Sequence, residues 1–114
     1  MEQILTEINK TPDVLGSCVV AEDGILIASD LNSQLDGETI GALISSIIRA
    51  SKAVIEKMDY GELKGCLLEA EKNKLFFARC KFGFLVIITS PEANLGLIRV
   101  ELKNAVKKME GLTL

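Results

Sequence analysis

The residues that ordinarily carry chemistry are sparse in this chain. None of its 114 residues is histidine, so neither a Ser-His-Asp triad nor a Cys-His nucleophile pair can be assembled. No G-x-x-x-x-G-K-[ST] loop occurs, so the chain is not itself a P-loop nucleotide hydrolase. Metal ligands would have to be carboxylates or thiols, and neither type clusters. Cys18, Cys66 and Cys80 are an odd number of thiols without C-x-x-C spacing, which implies neither a disulfide framework nor a zinc site. All three fall in segments that read as strands, where a thiol behaves by default as a small hydrophobe. One redox option stands out. With a three-residue loop at Lys72 to Lys74, Cys66 and Cys80 would face each other across a hairpin. The sequence otherwise predicts no catalytic, cofactor-binding or metal-binding set.

The length predicts one domain over 1–114, able to bury roughly two-thirds of its unfolded surface. Apolar residues make up 48% but aromatics only 4%, with no Trp. The core must therefore be built from Ile, Leu, Val and Ala. The net charge is −3, with signs interspersed, which disfavours a phosphate-binding stripe and hence nucleic acid. Few aromatics also argues against base stacking. In the most apolar helical segment, Glu38 and Arg49 bracket an uncharged run far short of a bilayer span. The segment Met1 to Lys10 carries Glu2 and Glu7 and lacks an apolar core, unlike a signal peptide. A cytoplasmic location without membrane insertion is expected.

The elements that must position any site follow from hydrophobic periodicity. Glu2 to Asn9 aligns Ile4, Leu5 and Ile8 on one side of a short helix, which Pro12 stops. Val14 to Glu22 and Ile25 to Asp30 are β-rich and joined at Asp23-Gly24, a hairpin signal. Leu31 to Gly37 is a polar loop. Glu38 to Asp59 is the longest helix, with Ile40, Leu43, Ile44, Ile47, Ile48, Val54, Ile55 and Met58 at helical spacing and Gly61 as its stop. Three strands follow at Glu62 to Glu71, Lys74 to Lys81 and Phe84 to Thr89. The last helix runs from Asn94 to Glu110, capped by Asn94, with Lys103, Lys107 and Lys108 toward its C-terminal end. Short hairpin links make the local pairings antiparallel. Strands at Val14 to Ala21 and Phe84 to Ile88 are apolar on both sides, so helices must cover both sheet faces. The predicted fold is an α/β (α+β) sandwich of order α-ββ-α-βββ-α around a five-stranded antiparallel sheet.

Several of these residues are similar to the Roadblock / dynein light chain family, which includes MglB-like regulators of Ras-like GTPases. The first hairpin carries Val14, Gly16, Val19-Val20, Asp23-Gly24 and Ile27-Ala28-Ser29. The final helix opens Asn94-Leu95-Gly96-Leu97-Ile98-Arg99, like the family's N-L-G-x-x-R segment. The order and spacing of elements match over nearly the whole chain. The resemblance implies a homodimer or heterodimer that binds a Ras-like small GTPase and modulates its nucleotide cycle. Such a protein is at most a GTPase-activating or regulatory co-protein, without an active site or cofactor of its own.

Two surfaces are expected to carry contacts. Small residues on the long helix, Ala42, Ser45/Ser46, Arg49/Ala50 and Ala53, would let a second helix approach closely. The stripe containing Leu43, Ile47 and Ile55 is expected to pack on the sheet. The strand at Glu62 to Glu71 falls at a sheet edge, and edges tend to pair; the resemblance implies pairing with its own copy. The expected dimer interface is Ala42, Ser46, Arg49, Ala50, Ala53, Leu63, Cys66 and Leu68. The resemblance also implies that the long helix meets the GTPase; it matches no individual residue there, and Ser45, Arg49, Lys52 and Lys57, with Ser46 beside them, are the polar contact surface expected on that helix. Each of these positions equally suits a solvated face. An arginine finger from Arg49, Arg79 or Arg99 is not favoured, because none lies in a flexible loop. Two alternatives stand beside the regulator. One is a scaffold subunit of a larger motor or signalling complex. The other is a small-molecule sensor, which the aliphatic core with no convergent polar set disfavours.

Overall fold

Residues 1–32 and 34–113 are described by a computed structural model of the chain; Ser33, within the predicted polar loop, and Leu114 lie outside the described residues. The elements run α1 (Glu2–Asn9), β1 (Val14–Val20), β2 (Leu26–Asp30), α2 (Gly37–Lys57), β3 (Gly65–Glu69), β4 (Lys74–Cys80), β5 (Gly83–Thr89) and α3 (Leu95–Glu110). The five strands form one antiparallel sheet in the order β2-β1-β5-β4-β3. The apolar β1 and β5 lie in its interior, where both of their faces are covered. The expected element order and antiparallel sheet are both present.

Alternation along the strands divides the core in two. Val19, Phe76, Leu85 and Ile87 point to the face where α1 and α3 bring Leu5, Ile8, Ile98, Leu102 and Met109. Cys18, Val20, Phe77, Phe84 and Val86 point to the other face, against Ile44, Ile48 and Leu63. α1 is tied to the sheet by polar bonds as well. The Ser17 hydroxyl donates to Asn9 Oδ1 at 2.8 Å, and Asn9 Nδ2 donates to the Asp30 carbonyl at 2.8 Å.

Helix ends follow local chemistry. Asp36 caps α2, its side chain accepting from the Glu38 amide at 3.1 Å and from the Thr39 hydroxyl at 2.7 Å. Asn94 caps α3 by accepting from the Leu97 amide at 3.0 Å, as its position predicts. α2 stops earlier than the Gly61 signal suggests. Asp59 takes a left-handed conformation, φ 56°, while the Tyr60 amide bonds the Ile55 carbonyl and the Asp59 amide the Glu56 carbonyl. This is a Schellman closure with Asp where Gly is usual.

β1 to β4 are shorter than the runs that announce them, while β5 begins one residue earlier, at Gly83. β1 ends at Val20, since a bulge between Val19 and Val20 begins the turn to β2. β3 begins only at Gly65, where a Cβ would lie 2.6 Å from the Phe77 carbonyl oxygen. The β3–β4 register corrects the thiol pairing. Glu69 pairs with Lys74, so four residues, 70–73, form the loop, and Cys66 sits opposite Phe77 rather than Cys80. The two thiols belong to opposite faces of the sheet, Cys66 toward α2 and Cys80 toward α1 and α3.

Candidate functional surface

α2 lies over β1 and β2 and is held there by close approach. A Cβ on Gly41 would come within 2.5 Å of the Gly24 carbonyl oxygen, so this turn of helix needs glycine to meet the hairpin. Gly24 itself needs a positive φ, 94°, which glycine adopts without strain. One turn on, the Ser45 hydroxyl donates to the Glu22 carbonyl at 3.2 Å. Ser45 is therefore buried under the hairpin. This corrects its placement on a contact surface: its small size serves packing within the chain.

The opposite side of α2 is where the interface residues fall. Ala42, Ser46, Arg49, Ala50 and Ala53 are all exposed. Leu43 and Val54 join them, at 60% and 61% exposure. This corrects the expectation that Leu43 packs on the sheet. At about 100° per residue, Leu43 and Val54 fall on the outer side, while Ile44 and Ile48 take the inner one. Met58 is also exposed beyond the helix end, with Tyr60 after it. Ile47 and Ile55 keep partial cover against the α2-side core, as expected. Lys57 lies exposed on the outer side.

β3 is the edge strand on that side of the molecule. Cys66 is half-buried and Leu68 exposed, with Cys66 packed against the α2-side core. Leu63 is a different case. It precedes β3, is 6% exposed and sits within the α2-side core, and its carbonyl accepts from Arg79 Nε at 2.9 Å. Leu63 thus serves its own chain and offers no surface to a second one, because the approach to β3 folds back over Phe77 and Phe84.

The charged residues on this side form an ion-pair junction that spacing along the sequence does not reveal. The Glu22 carboxylate accepts from Lys52 Nζ at 2.7 Å and from Arg79 Nη1 at 2.9 Å. These bonds join the β1–β2 turn, α2 and β4. The Lys52 bond first, and then the Arg79 bond, hold the Glu22 carboxyl below the usual value of 4.5. Arg79 also lies over the Phe84 ring, 4.9 Å from its centroid. Arg49 donates to the hydroxyls of Ser45 at 3.0 Å and Ser46 at 3.4 Å, along its own helix. Lys52, Arg79 and Arg49 are therefore engaged within the chain. No sequence signal links Glu22 to partners 30 and 57 positions away.

The two buried thiols are not activated. Burial pushes Cys18 up to about 12 and raises Cys80 as well, so both stay protonated, and thiols rather than thiolates are poor nucleophiles.

The surface is thus a helix face and a sheet edge, a geometry suited to protein contact rather than to bond chemistry. A Roadblock/LC7 domain family model matches residues 1–89. The uncharacterised protein MJ1340 of Methanocaldococcus jannaschii is 35% identical over 112 residues, covering 98% of each chain. Among solved structures, the Roadblock/LC7 domain from Streptomyces avermitilis superposes with a TM-score of 0.88 at 16% identity, over 96% of this chain and 94% of that one. Myxococcus xanthus MglB superposes with a TM-score of 0.87 at 21% identity, over 98% and 89%. The two-layered helix cover, the strand order and these matches agree, and the chain belongs to the Roadblock/LC7 domain family.

Proposed function

We propose that the chain is a homodimeric interaction module that binds a Ras-like small GTPase in the cytoplasm and modulates its nucleotide cycle, with no active site of its own. The observation that carries this reading is the outward face of α2. Between Thr39 and Lys57 it presents Ala42, Leu43, Ser46, Ala50, Ala53 and Val54, with Arg49 at its flank. Five strands spaced about 4.8 Å apart span roughly 19 Å, and one helix about 10 Å wide covers half of that. α2 approaches β1 and β2 most closely and its Ile44 and Ile48 share a core with Leu63, Phe77 and Phe84 toward β3, which leaves Cys66 and Leu75 half-buried and Leu68 exposed. A second copy related by a two-fold would set its α2 beside this one and its β3 against this β3. Alanines and Ser46 at the contact permit close helix approach.

The likeness to MglB supports the partner class. Lys57 and the outer part of Arg49 are the cations this face can offer. Arg49 is bound along its own helix and Arg79 is bound to Glu22, so the reading uses no arginine finger. The dimer instead acts by holding the GTPase in one conformation, a population shift that needs only different affinities for two states.

The test is capture with the immobilised chain from native lysate, loaded with GDP or with a non-hydrolysable GTP analogue. A small GTPase enriched only with the analogue is the expected result. Equal capture in both states, or capture of large assemblies without a GTPase, would remove the regulatory reading in favour of a scaffold.

A further inference from the structure

The sheet has a second uncovered margin, on the face away from α2. There α1 lies on β1 and β2, and α3 on β4. Two adjacent helices about 10 Å apart do not reach across five strands, so β3 lies beyond α3. The result is a cleft of about 680 Å³ between α3 and the β3–β4 hairpin. Its floor is the half-buried Leu67, paired across the strands with Phe76, which is itself buried in the core beneath. Val100 and Val106 form the α3 wall, and Arg99 and Lys103 stand with them. Val100 is 53% exposed, a large apolar side chain left in water beside an apolar floor.

The charge here opposes that of the molecule. The chain carries net −3, yet among the described residues no carboxylate lines the cleft. Among the described residues neither Arg99 nor Lys103 makes an ion pair. Arg99, Lys103 and Lys107 follow at i, i+4 and i+8, a spacing at which like charges repel along a helix. Arg99 lies in the second turn of α3, whose first turn holds no acidic residue to pair with it.

We propose that this cleft docks an acidic amphipathic helix of a partner protein. The helix lies beside α3 as a third member of that layer, above β3. Its apolar stripe rests on Leu67, Val100 and Val106, and its carboxylates meet Arg99 and Lys103. A strand would instead add in the plane of the sheet, at the β3 edge; the cleft lies above that plane. α3 has 16 residues and is about 24 Å long, so a helix of similar length matches the wall. This is helix-in-groove recognition with charge complementarity setting orientation and partner choice. It uses the sheet face opposite α2 and stands or falls apart from the GTPase reading.

The experiment is selection of displayed random peptides, about as long as α3, on the immobilised full chain. Selected peptides are then titrated against wild type, Arg99→Glu/Lys103→Glu and Val100→Asp. Circular dichroism and light-scattering mass confirm that each variant keeps its fold and assembly, as expected for exposed positions. The expected result is enrichment of net-negative peptides with apolar residues at helical spacing. Their affinity should fall at least about tenfold in both variants and weaken with added salt. No enrichment, enrichment of neutral or basic peptides, or acidic peptides indifferent to both variants would overturn the proposal. So would binding of phosphatidylserine vesicles through Arg99 and Lys103 with no peptide selected, which would reassign the cations to a lipid surface. Capture of the GTPase should be unchanged in Arg99→Glu/Lys103→Glu; its loss in Ala50→Glu would leave the cleft untouched.

Discussion

The two faces of the sheet are covered by different means. On one, α1 and α3 bury Leu5, Ile98 and Met109 completely against Val19, Leu85 and Ile87. On the other, α2 alone serves, and it turns Leu43, Ala50 and Val54 outward. A face closed by two helices is finished within one chain. A face with one helix and an apolar outer stripe is where the proposed second copy would pack. The same principle operates at smaller scale on the closed face, where α3 stops short of β3 and leaves the basic cleft.

This contrast can be broken most forcefully on the closed face. Ile98→Ala removes a fully buried side chain, so we expect a loss of about 3 kcal/mol in urea unfolding. A loss under about 1 kcal/mol would mean that the two-helix face is far less tightly packed than its burial indicates. Next in size is Ala50→Glu on the open face. Its side chain is exposed in one chain but would be buried as an unpaired charge between two copies. Dimer dissociation should strengthen by at least about tenfold in sedimentation equilibrium, with the helical circular dichroism unchanged. An unaltered dimer would move the interface away from α2.

Glu22→Gln probes the junction that fixes α2 to the hairpin. Glu22 is partly exposed, 44% for its side chain, so the loss should lie between zero and about 1 kcal/mol at pH 7. The sign follows from the lowered carboxyl. Folding favours the charged form, so the contribution is present above the ordinary value of 4.5 and is lost as pH falls through the lower folded value. The gap between wild type and variant should therefore narrow as pH falls below 4.5, read from urea midpoints at pH 7 and at acid pH. A gap that persists there would point to packing rather than charge. The smallest effect is Leu43→Ala made in the Ala50→Glu background. With no partner helix, an exposed side chain should contribute within about 0.5 kcal/mol; a larger loss in urea unfolding would place Leu43 against its own sheet after all.

Much of this architecture is legible in residue order. The period of Ile98, Leu102, Ala105 and Met109, the unbroken apolar run at Phe84 to Ile88, and the caps at Asp23-Gly24 and Asn94 are local signals, and local signals survive folding. What escapes is set by distant geometry. α2 has apolar residues on two sides, so periodicity alone does not say whether Leu43 or Ile44 faces inward; the Gly41–Gly24 approach decides it. Ser45 belongs to a strip of small residues, but the hairpin carbonyl of Glu22 claims it. Leu63 reads as part of a strand, whereas β3 begins at Gly65, which pairs with Ala78 and lies close against the Phe77 carbonyl. The thiol pairing failed on a single turn, because the extent of the loop at 70–73 sets every partner along β3 and β4. Glu22 gave no sign of Lys52 and Arg79, since three separate elements must be in place before the three charges meet.

The central claim is that the open α2 face is completed by a second copy. Light scattering behind gel filtration, at micromolar concentration, addresses it directly. A mass of twice the chain is the predicted result, shifting toward a single chain in Ala50→Glu. A wild-type mass of one chain would contradict it.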